Sequence, residues 1–147
     1  MPSLIGRRHL FRLLLPVAAA VSLGALSGCG GPQSKMPDFR DQQVPVSGLT
    51  AEQVGAAIAN GCKLRGWQID AAGPNTVAAQ YNHGRLMAAV TIQWTATAYT
   101  IMYRDSAGMR YNPHRNSIHP RFVMWMRNLR RTINNEFLRL GASPQPI

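Results

Sequence analysis

The strongest constraint on the fold is a strict alternation of side chains over residues 86–95. Leu86, Ala88, Val90, Ile92 and Trp94 alternate with Met87, Ala89, Thr91, Gln93 and Thr95. A period of two residues is that of a β-strand with one buried face. Similar runs occur at 76–81 and 99–104, with a short candidate at 67–69, and the connections are too short for crossovers. The pattern predicts an antiparallel meander of three to four strands.

Two stretches with helical periodicity flank these strands. In residues 49–64, Thr50 is a candidate N-cap, and Gln53 three positions later completes a capping box. A longer stretch starts at Ile118 or His119 and repeats apolar residues every three or four positions, with Gly141 as its stop. We therefore expect an α+β fold: an N-terminal helix, the meander, and a long C-terminal helix packed on one face of the sheet.

The beginning of the chain has a different character. Three arginines precede an apolar stretch at 13–26, which is short for a membrane span of ~20 residues and typical of a secretory signal. The stretch ends in a motif that resembles the lipobox of bacterial lipoproteins: Leu26-Ser27-Gly28-Cys29. In such proteins a diacylglycerol is joined to the cysteine sulfur and the leader is cut before it. An ordinary secretory signal and an uncleaved anchor are the alternatives.

The lipobox resemblance divides the chain into four segments. Residues 1–28 are the predicted signal peptide, and 29–48 are the lipidated cysteine with a flexible tether rich in Gly, Pro, Gln and Ser. Residues 49–141 are the α+β domain, and 142–147 are a loose tail. Gly30, rather than Asp, follows Cys29, which by resemblance to Gram-negative lipoproteins favours the periplasmic face of the outer membrane.

The charge of the chain indicates acidic partners. The formal net charge is +10, and without the three leader arginines it is +7. Such a surface attracts lipid headgroups, lipopolysaccharide or acidic glycans. A merely solvated basic surface is the alternative. Nucleic acid is not an expected partner, because an exported lipoprotein rarely meets it and aromatic stacking motifs are absent.

Two groups of residues are candidates for binding. The loop before the last helix contributes Tyr111, His114, Arg115 and His119, and the helix contributes Arg121, Arg127, Arg130 and Arg131. The alternative for the loop is a structural role, with His119 bonded near the helix start. The alternative for the arginines is a solvated helix face.

Other chemistry has little sequence support. A metal site needs three or four ligands, and the loop offers only two histidines, so we predict no metal site. Asp105, Ser106 and His119 could form a triad, but their order and context match no nucleophile motif. Cys62 is expected to be a buried thiol, although a disulfide with Cys29 is open if Cys29 is not lipidated. We predict no catalytic residue and no cofactor. The aromatic residues Trp67, Trp94, Tyr99, Tyr103 and Trp125 are expected in the core. The alternative is that a sheet face left uncovered by the helices displays some of them as a binding surface.

Several short motifs together resemble a family of small, largely uncharacterised proteobacterial lipoproteins. They are Gly66-Trp67, the strand Tyr99-Thr100-Ile101-Met102-Tyr103-Arg104-Asp105-Ser106, the helix start Ile118-His119-Pro120, and Trp125 with Leu129. The family pattern has Tyr-Asn where this chain has Phe122-Val123. The resemblance implies an envelope location and an α+β fold, and no reaction.

Location and charge together predict a non-catalytic binding or adapter domain in the cell envelope. It would be held at the membrane by lipid on Cys29 and bind an envelope protein or an anionic envelope component. The alternative is a carrier or sensor that binds an anionic ligand, a glycan or lipopolysaccharide through the arginine-rich face. The oligomeric state does not follow from the sequence.

Overall fold

The computed structural model describes residues 31–142 of the 147-residue chain. The described part contains, in chain order, β1 (Ser34–Lys35), β2 (Phe39–Gln43), α1 (Ala51–Leu64), β3 (Gln68–Gly73), β4 (Thr76–His83), β5 (Leu86–Trp94), β6 (Ala98–Ala107), β7 (Ser117–Ile118) and α2 (Pro120–Ala142). The predicted signal peptide, the lipobox with Cys29 and the last five residues lie outside this range.

Five strands form one antiparallel sheet in the order β2-β6-β5-β4-β3. The α+β class predicted from the sequence is confirmed. β3 to β6 follow one another as a four-stranded meander, which agrees with the alternating runs. β2 adds a fifth strand next to β6, and β1 pairs with β7 apart from the sheet. The prediction of three to four strands missed β2 and the β1–β7 pair.

The alternation in β5 separates its side chains onto two faces. Val90 and Ile92 are completely buried, whereas Gln93 is exposed. Ile92 is in register with Val77 on β4 and with Ile101 on β6, both of them buried. Burying one such side chain contributes about 1.5–3 kcal/mol, so this row of side chains is a main source of the sheet's stability.

Both helices contribute to the core on this side of the sheet. A Cβ atom on Gly61 of α1 would lie 2.8 Å from Cγ1 and 3.2 Å from Cα of Ile133 on α2. Only glycine therefore permits so close an approach of the two helices. Phe137 of α2 packs edge-on against Tyr99 of β6, with ring centroids 5.5 Å apart. These contacts join the last helix both to α1 and to the sheet.

Helix α1 begins and ends where the sequence predicts. Oγ1 of Thr50 accepts the backbone N–H of Gln53 at 3.2 Å, and Oε1 of Gln53 accepts the backbone N–H of Thr50 at 2.9 Å. This is the predicted capping box. After the helix, Gly66 has φ of +73°, and the N–H of Trp67 then donates to the carbonyl of Cys62 at 2.9 Å.

The prediction of a flexible tether over 29–48 is wrong for much of that segment. β1 pairs with β7, and β2 pairs along the edge strand β6. Phe39, at the start of β2, is buried under Arg130, whose guanidinium carbon lies 5.1 Å from the ring centroid. Backbone pairing and one buried aromatic ring order this segment. Its composition suggests a tether because a strand at the edge of a sheet needs little apolar periodicity.

The other domain boundaries shift as well. The predicted domain starts at residue 49, but strand pairing begins at Ser34. Helix α2 starts at Pro120, after Ile118 and His119, and ends at Ala142, one residue beyond the predicted stop at Gly141. The folded unit thus reaches back almost to the predicted acylation site.

Candidate functional site

The predicted loop before the last helix is a small hairpin. Asn112 and Ser117 exchange backbone hydrogen bonds at 2.8 and 3.1 Å. Oδ1 of Asn112 also accepts the N–H of Arg115 at 3.0 Å. Met109, which precedes the hairpin, is completely buried. The hairpin is therefore rooted in the core and exposes its tip, residues 113–116.

The two histidines of this segment have different surroundings. His114 is exposed at the hairpin tip. Nδ1 of His119 accepts the backbone N–H of Arg121 at 3.1 Å, and thereby satisfies one of the N–H groups left free at a helix start. The contacts of His119 therefore support a structural role at the start of the helix, which was the alternative to a role in binding. Within residues 31–142, no three His, Cys, Asp or Glu side chains are grouped to hold a metal ion.

Tyr111 forms the outer wall of the same region. Its ring lies 4.3 Å, centroid to centroid, from the ring of Tyr103 on β6, and the Tyr103 ring in turn contacts Phe122 at 5.7 Å. Tyr111 remains 37% exposed. A partly exposed aromatic ring thus packs on the core beside the hairpin tip.

Three of the four predicted helix arginines are exposed. Arg121 lies at the start of α2, whereas Arg127 and Arg131 lie four residues apart on its outer side. The outer side also carries Met124 and Leu138, which are 50% and 52% exposed. We call these four side chains, Met124, Arg127, Arg131 and Leu138, the outer face of α2.

Arg130 does not belong to the exposed surface, contrary to the prediction. Its Nη1 donates to Oε1 of Gln42 on β2 at 2.9 Å, and its guanidinium lies over the ring of Phe39. Its Nε is buried without a hydrogen-bond partner among the described residues. The side chain turns toward the sheet because β2, which the sequence did not predict, lies there. Arg130 therefore holds β2 and is not available to a partner.

Five basic side chains that are distant in the sequence lie at one end of the domain. We call this the basal end. It comprises β1, the β4–β5 turn, residues 108–116 and the first turn of α2. All five side chains are exposed: Lys35, Arg85, Arg110, Arg115 and Arg121.

Direct contacts join the segments of the basal end. Nζ of Lys35 donates to the carbonyl of Arg115 at 3.2 Å. Nε2 of Gln33 donates to the carbonyl of Arg110 at 3.1 Å, and Gly31 lies against the Arg110 guanidinium. The β4–β5 turn joins them because Gly108 lies against the backbone of Arg85. The chain that leads back toward Cys29 is thus part of this end.

The basal end has an unbalanced charge. The ion pairs in the described part of the chain are Arg40–Asp38, Arg104–Asp70 and Arg139–Glu136. None involves a basal side chain, and the segments that form the basal end contain no acidic residue. Like charges held close together repel one another, so an anionic partner would relieve this repulsion.

Sequence reasoning found only part of this surface. It singled out Arg115 and Arg121, but not Lys35, Arg85 or Arg110. No local signal distinguishes these three from other solvated side chains, because antiparallel strand turns and the β1–β7 pair bring them together. The predicted binding residues Arg127 and Arg131 lie on the outer face of α2 instead.

A second candidate is an aromatic hollow between α2 and the sheet. Its lining residues are Arg65, Trp67, Tyr81, Trp125 and Asn128, and its volume is 90 Å³. Sites for drug-sized molecules measure about 300–1,000 Å³, so this hollow could hold only a few atoms. Trp67, Tyr99 and Trp125 are buried, and Trp94 and Tyr103 pack against the core, so the predicted aromatic core is confirmed.

Cys62 and Ser106 carry a thiol and a hydroxyl that could in principle act as nucleophiles. Cys62 is completely buried, and burial raises the pKa of its thiol to about 12, which keeps it protonated at neutral pH. Oγ of Ser106 lies 3.1 Å from the hydroxyl of Tyr103. Nδ1 of His119 is engaged by the backbone of Arg121. The hydrogen bonds of the described residues therefore do not assemble the triad considered above.

No protein-family model, curated protein or solved structure matches this chain. Neither helix in residues 31–142 is long and apolar enough to traverse a bilayer. The surface must accordingly be interpreted from its own geometry and charge.

Proposed function

We propose that this protein is a lipid-anchored lipoprotein of the cell envelope whose α+β domain acts as a non-catalytic binding or adapter domain. The observation that carries the proposal is the order of three sequence elements: a basic start, a short apolar stretch, and Leu26-Ser27-Gly28-Cys29. Cleavage needs small residues before the cut, and acylation needs a thiol. The periplasmic face of the outer membrane is the proposed location, from the resemblance at Gly30.

The folded domain is compatible with such processing. The described strands pair with one another within residues 34–118, so cleavage before Cys29 takes away no partner of these pairings. Cys62 is buried inside α1 and has a raised pKa, which disfavours it as an alternative acylation site. These features support Cys29 as the single lipidated residue.

Anchoring supplies the mechanism of an adapter. One acyl chain binds a membrane weakly, whereas two or more hold a protein durably. A domain confined to a membrane encounters partners on the same membrane at a raised effective concentration. Binding through a surface, without turnover, is then sufficient for function. The outer face of α2, with two arginines between two exposed apolar side chains, is the surface proposed for an envelope protein partner.

The alternative function is a carrier or sensor of an anionic ligand. The basic side chains of the basal end, which form no ion pair with another residue of 31–142, favour it. The aromatic hollow, at 90 Å³, is too small to serve as the pocket of such a carrier, because a carrier encloses most of its ligand's surface. Saturable binding of a soluble glycan or phosphate by the domain would favour this alternative over the adapter.

Mass spectrometry of the mature protein tests the anchor. We expect a chain that begins at Cys29 and carries a diacylglycerol and an N-terminal acyl group. The Cys29→Ser variant should accumulate as an uncleaved precursor without lipid. The matched control, Cys62→Ala, should be acylated like the wild type. A mature chain with an unmodified first residue would contradict the proposal, and density separation of the two membranes would test the location.

A further inference from the structure

We infer that the basal end docks on the anionic lipid headgroups of the membrane that holds the anchor. The domain would stand on this end, with its five basic side chains at the level of the lipid phosphates. The inference rests on the proposed acylation of Cys29 and adds to it an orientation and a lipid preference.

The first argument is the short reach of the connecting chain. Only residues 30–33 separate Cys29 from β1. An extended chain spans at most about 3.6 Å per residue, so Cys29 lies within roughly 18 Å of Ser34. A domain of this size is roughly 30 Å across. The end of the domain opposite β1 therefore cannot be brought to the membrane by the anchor.

The second argument is the way in which the chain is held at the basal end. β1 pairs with β7, and the N–H of Met36 donates to the carbonyl of Asn116 at 2.9 Å. Oγ of Ser117 donates to Oε1 of Gln33 at 2.7 Å. The chain that connects the domain to the lipid on Cys29 therefore leaves the domain at this end, next to the hairpin tip.

The third argument is chemical complementarity. The four arginines of the basal end offer planar donor groups that fit phosphate oxygens. Near an anionic membrane, each basic side chain raises partitioning roughly fivefold. Asp38 follows β1 closely, but it is paired with Arg40 at 2.6 Å and adds no net negative charge. The partly exposed ring of Tyr111 also suits the headgroup region, where amphipathic aromatic rings concentrate.

The outer face of α2 is the internal comparison for this inference. It also exposes arginines, but it extends along the helix away from β1. It offers two arginines against the five basic side chains of the basal end, so charge already favours the basal end for anionic lipid. The position of the anchor favours the same end.

Binding to vesicles tests the inference. The chain without residues 1–29 keeps every described element, and it would be mixed with phosphatidylcholine vesicles that contain or lack phosphatidylglycerol. We expect binding to the anionic vesicles alone, weakening as salt rises. Arg115→Gln/Arg121→Gln should lower partitioning about 25-fold, at roughly fivefold for each arginine. The matched control, Arg127→Gln/Arg131→Gln, removes the same charge and should change partitioning less than about threefold.

Several results would overturn the inference. Equal losses in the two double variants would show diffuse attraction by net charge. Equal binding to both kinds of vesicle would remove the lipid preference. Displacement by millimolar inorganic phosphate would identify a site for a soluble anion in place of a lipid surface. If the basal variant fails to fold, Lys35→Gln/Arg85→Gln replaces it and should cause a similar loss.

The proposed acylation of Cys29 and the proposed docking of the basal end are tested by separate experiments. The vesicle assay uses the chain without lipid, so its outcome does not depend on acylation, which mass spectrometry decides. In the lipidated mature protein, amide exchange should slow at residues 110–116 on anionic vesicles and stay unchanged at 135–142. Protection at 135–142 in place of 110–116 would contradict the orientation.

Discussion

Strands β5 and β2 belong to the same sheet, but different interactions hold them there. β5 has nine residues, pairs on both sides, and presents a row of completely buried side chains. β2 has five residues and pairs only with β6, and Phe39 is its one buried residue. Its ladder is interrupted at Asp41, which has φ of +49° and donates its N–H to Oγ1 of Thr100.

The comparison shows that the central and the edge strand determine different properties. β5 provides the burial on which the domain's stability depends. β2, together with β1, determines where the N-terminal chain leaves the domain, and hence which surface faces the proposed anchor. The strand with the weakest sequence signal thus has the larger influence on orientation.

The largest effect is expected in β5. Ile92→Ala leaves a cavity between Val77 and Ile101. These two neighbours cannot move in to fill it, because strand pairing fixes their positions. We expect a loss of about 2–5 kcal/mol in the free energy of unfolding, measured by chemical denaturation. Gln93→Ala, on the exposed side of the same strand, is the control and should change stability by less than about 0.5 kcal/mol. Similar losses from both variants would show that β5 is not the centre of the core.

A smaller and more local effect is expected in β2. Phe39→Ala removes the ring under Arg130 at a sheet edge that water can enter. We expect a loss of at most about 3 kcal/mol, the lower limit for a buried aromatic. Amide exchange should accelerate at Gln42 and Val44, while Val90 keeps its protection. Equal acceleration of amide exchange in β2 and β5 would show that the loss is not local to the edge strand. Detachment of β1 and β2 would also lengthen the connection to the anchor and loosen the basal end's orientation.

The smallest effect under neutral conditions concerns Tyr99 on β6, the strand between the two, and Cys62 on α1. Burial raises the pKa of Tyr99 to about 12, opposed in part by Arg130, and burial raises the pKa of Cys62 to about 12. The unfolded chain ionises first, at the ordinary values of 9.0 for Cys62 and 10.0 for Tyr99. Stability should be unaffected by these groups below pH 9 and fall as the pH rises toward 12.

Denaturation midpoints measured from pH 7 to pH 11 check this behaviour. Cys62→Ala should move the onset of the decline from about pH 9 to about pH 10, because the thiol no longer contributes. A decline that begins at the same pH in the variant would show that Cys62 does not contribute.

Much of the fold could be predicted because its signals are local. The alternation in β5 and the Thr50–Gln53 capping box each act within a few residues, so short-range chemistry suffices to identify them. β2 escaped prediction because its order depends on Arg130 and on pairing with β6, both far along the chain. The same distance explains why Arg130 was assigned to an exposed face.

The sequence by itself determined the α+β class, the meander, both helices and the lipobox motif on which the proposed anchor rests. Periodicity, capping residues and motif spacing depend only on residues that are close in the sequence, so they can be recognised without a structure. Only the tertiary structure decided that the predicted tether contains paired strands and that five basic side chains share the end where the chain departs. These are relations between distant segments, and they arise from strand pairing and burial, which no single stretch of sequence contains.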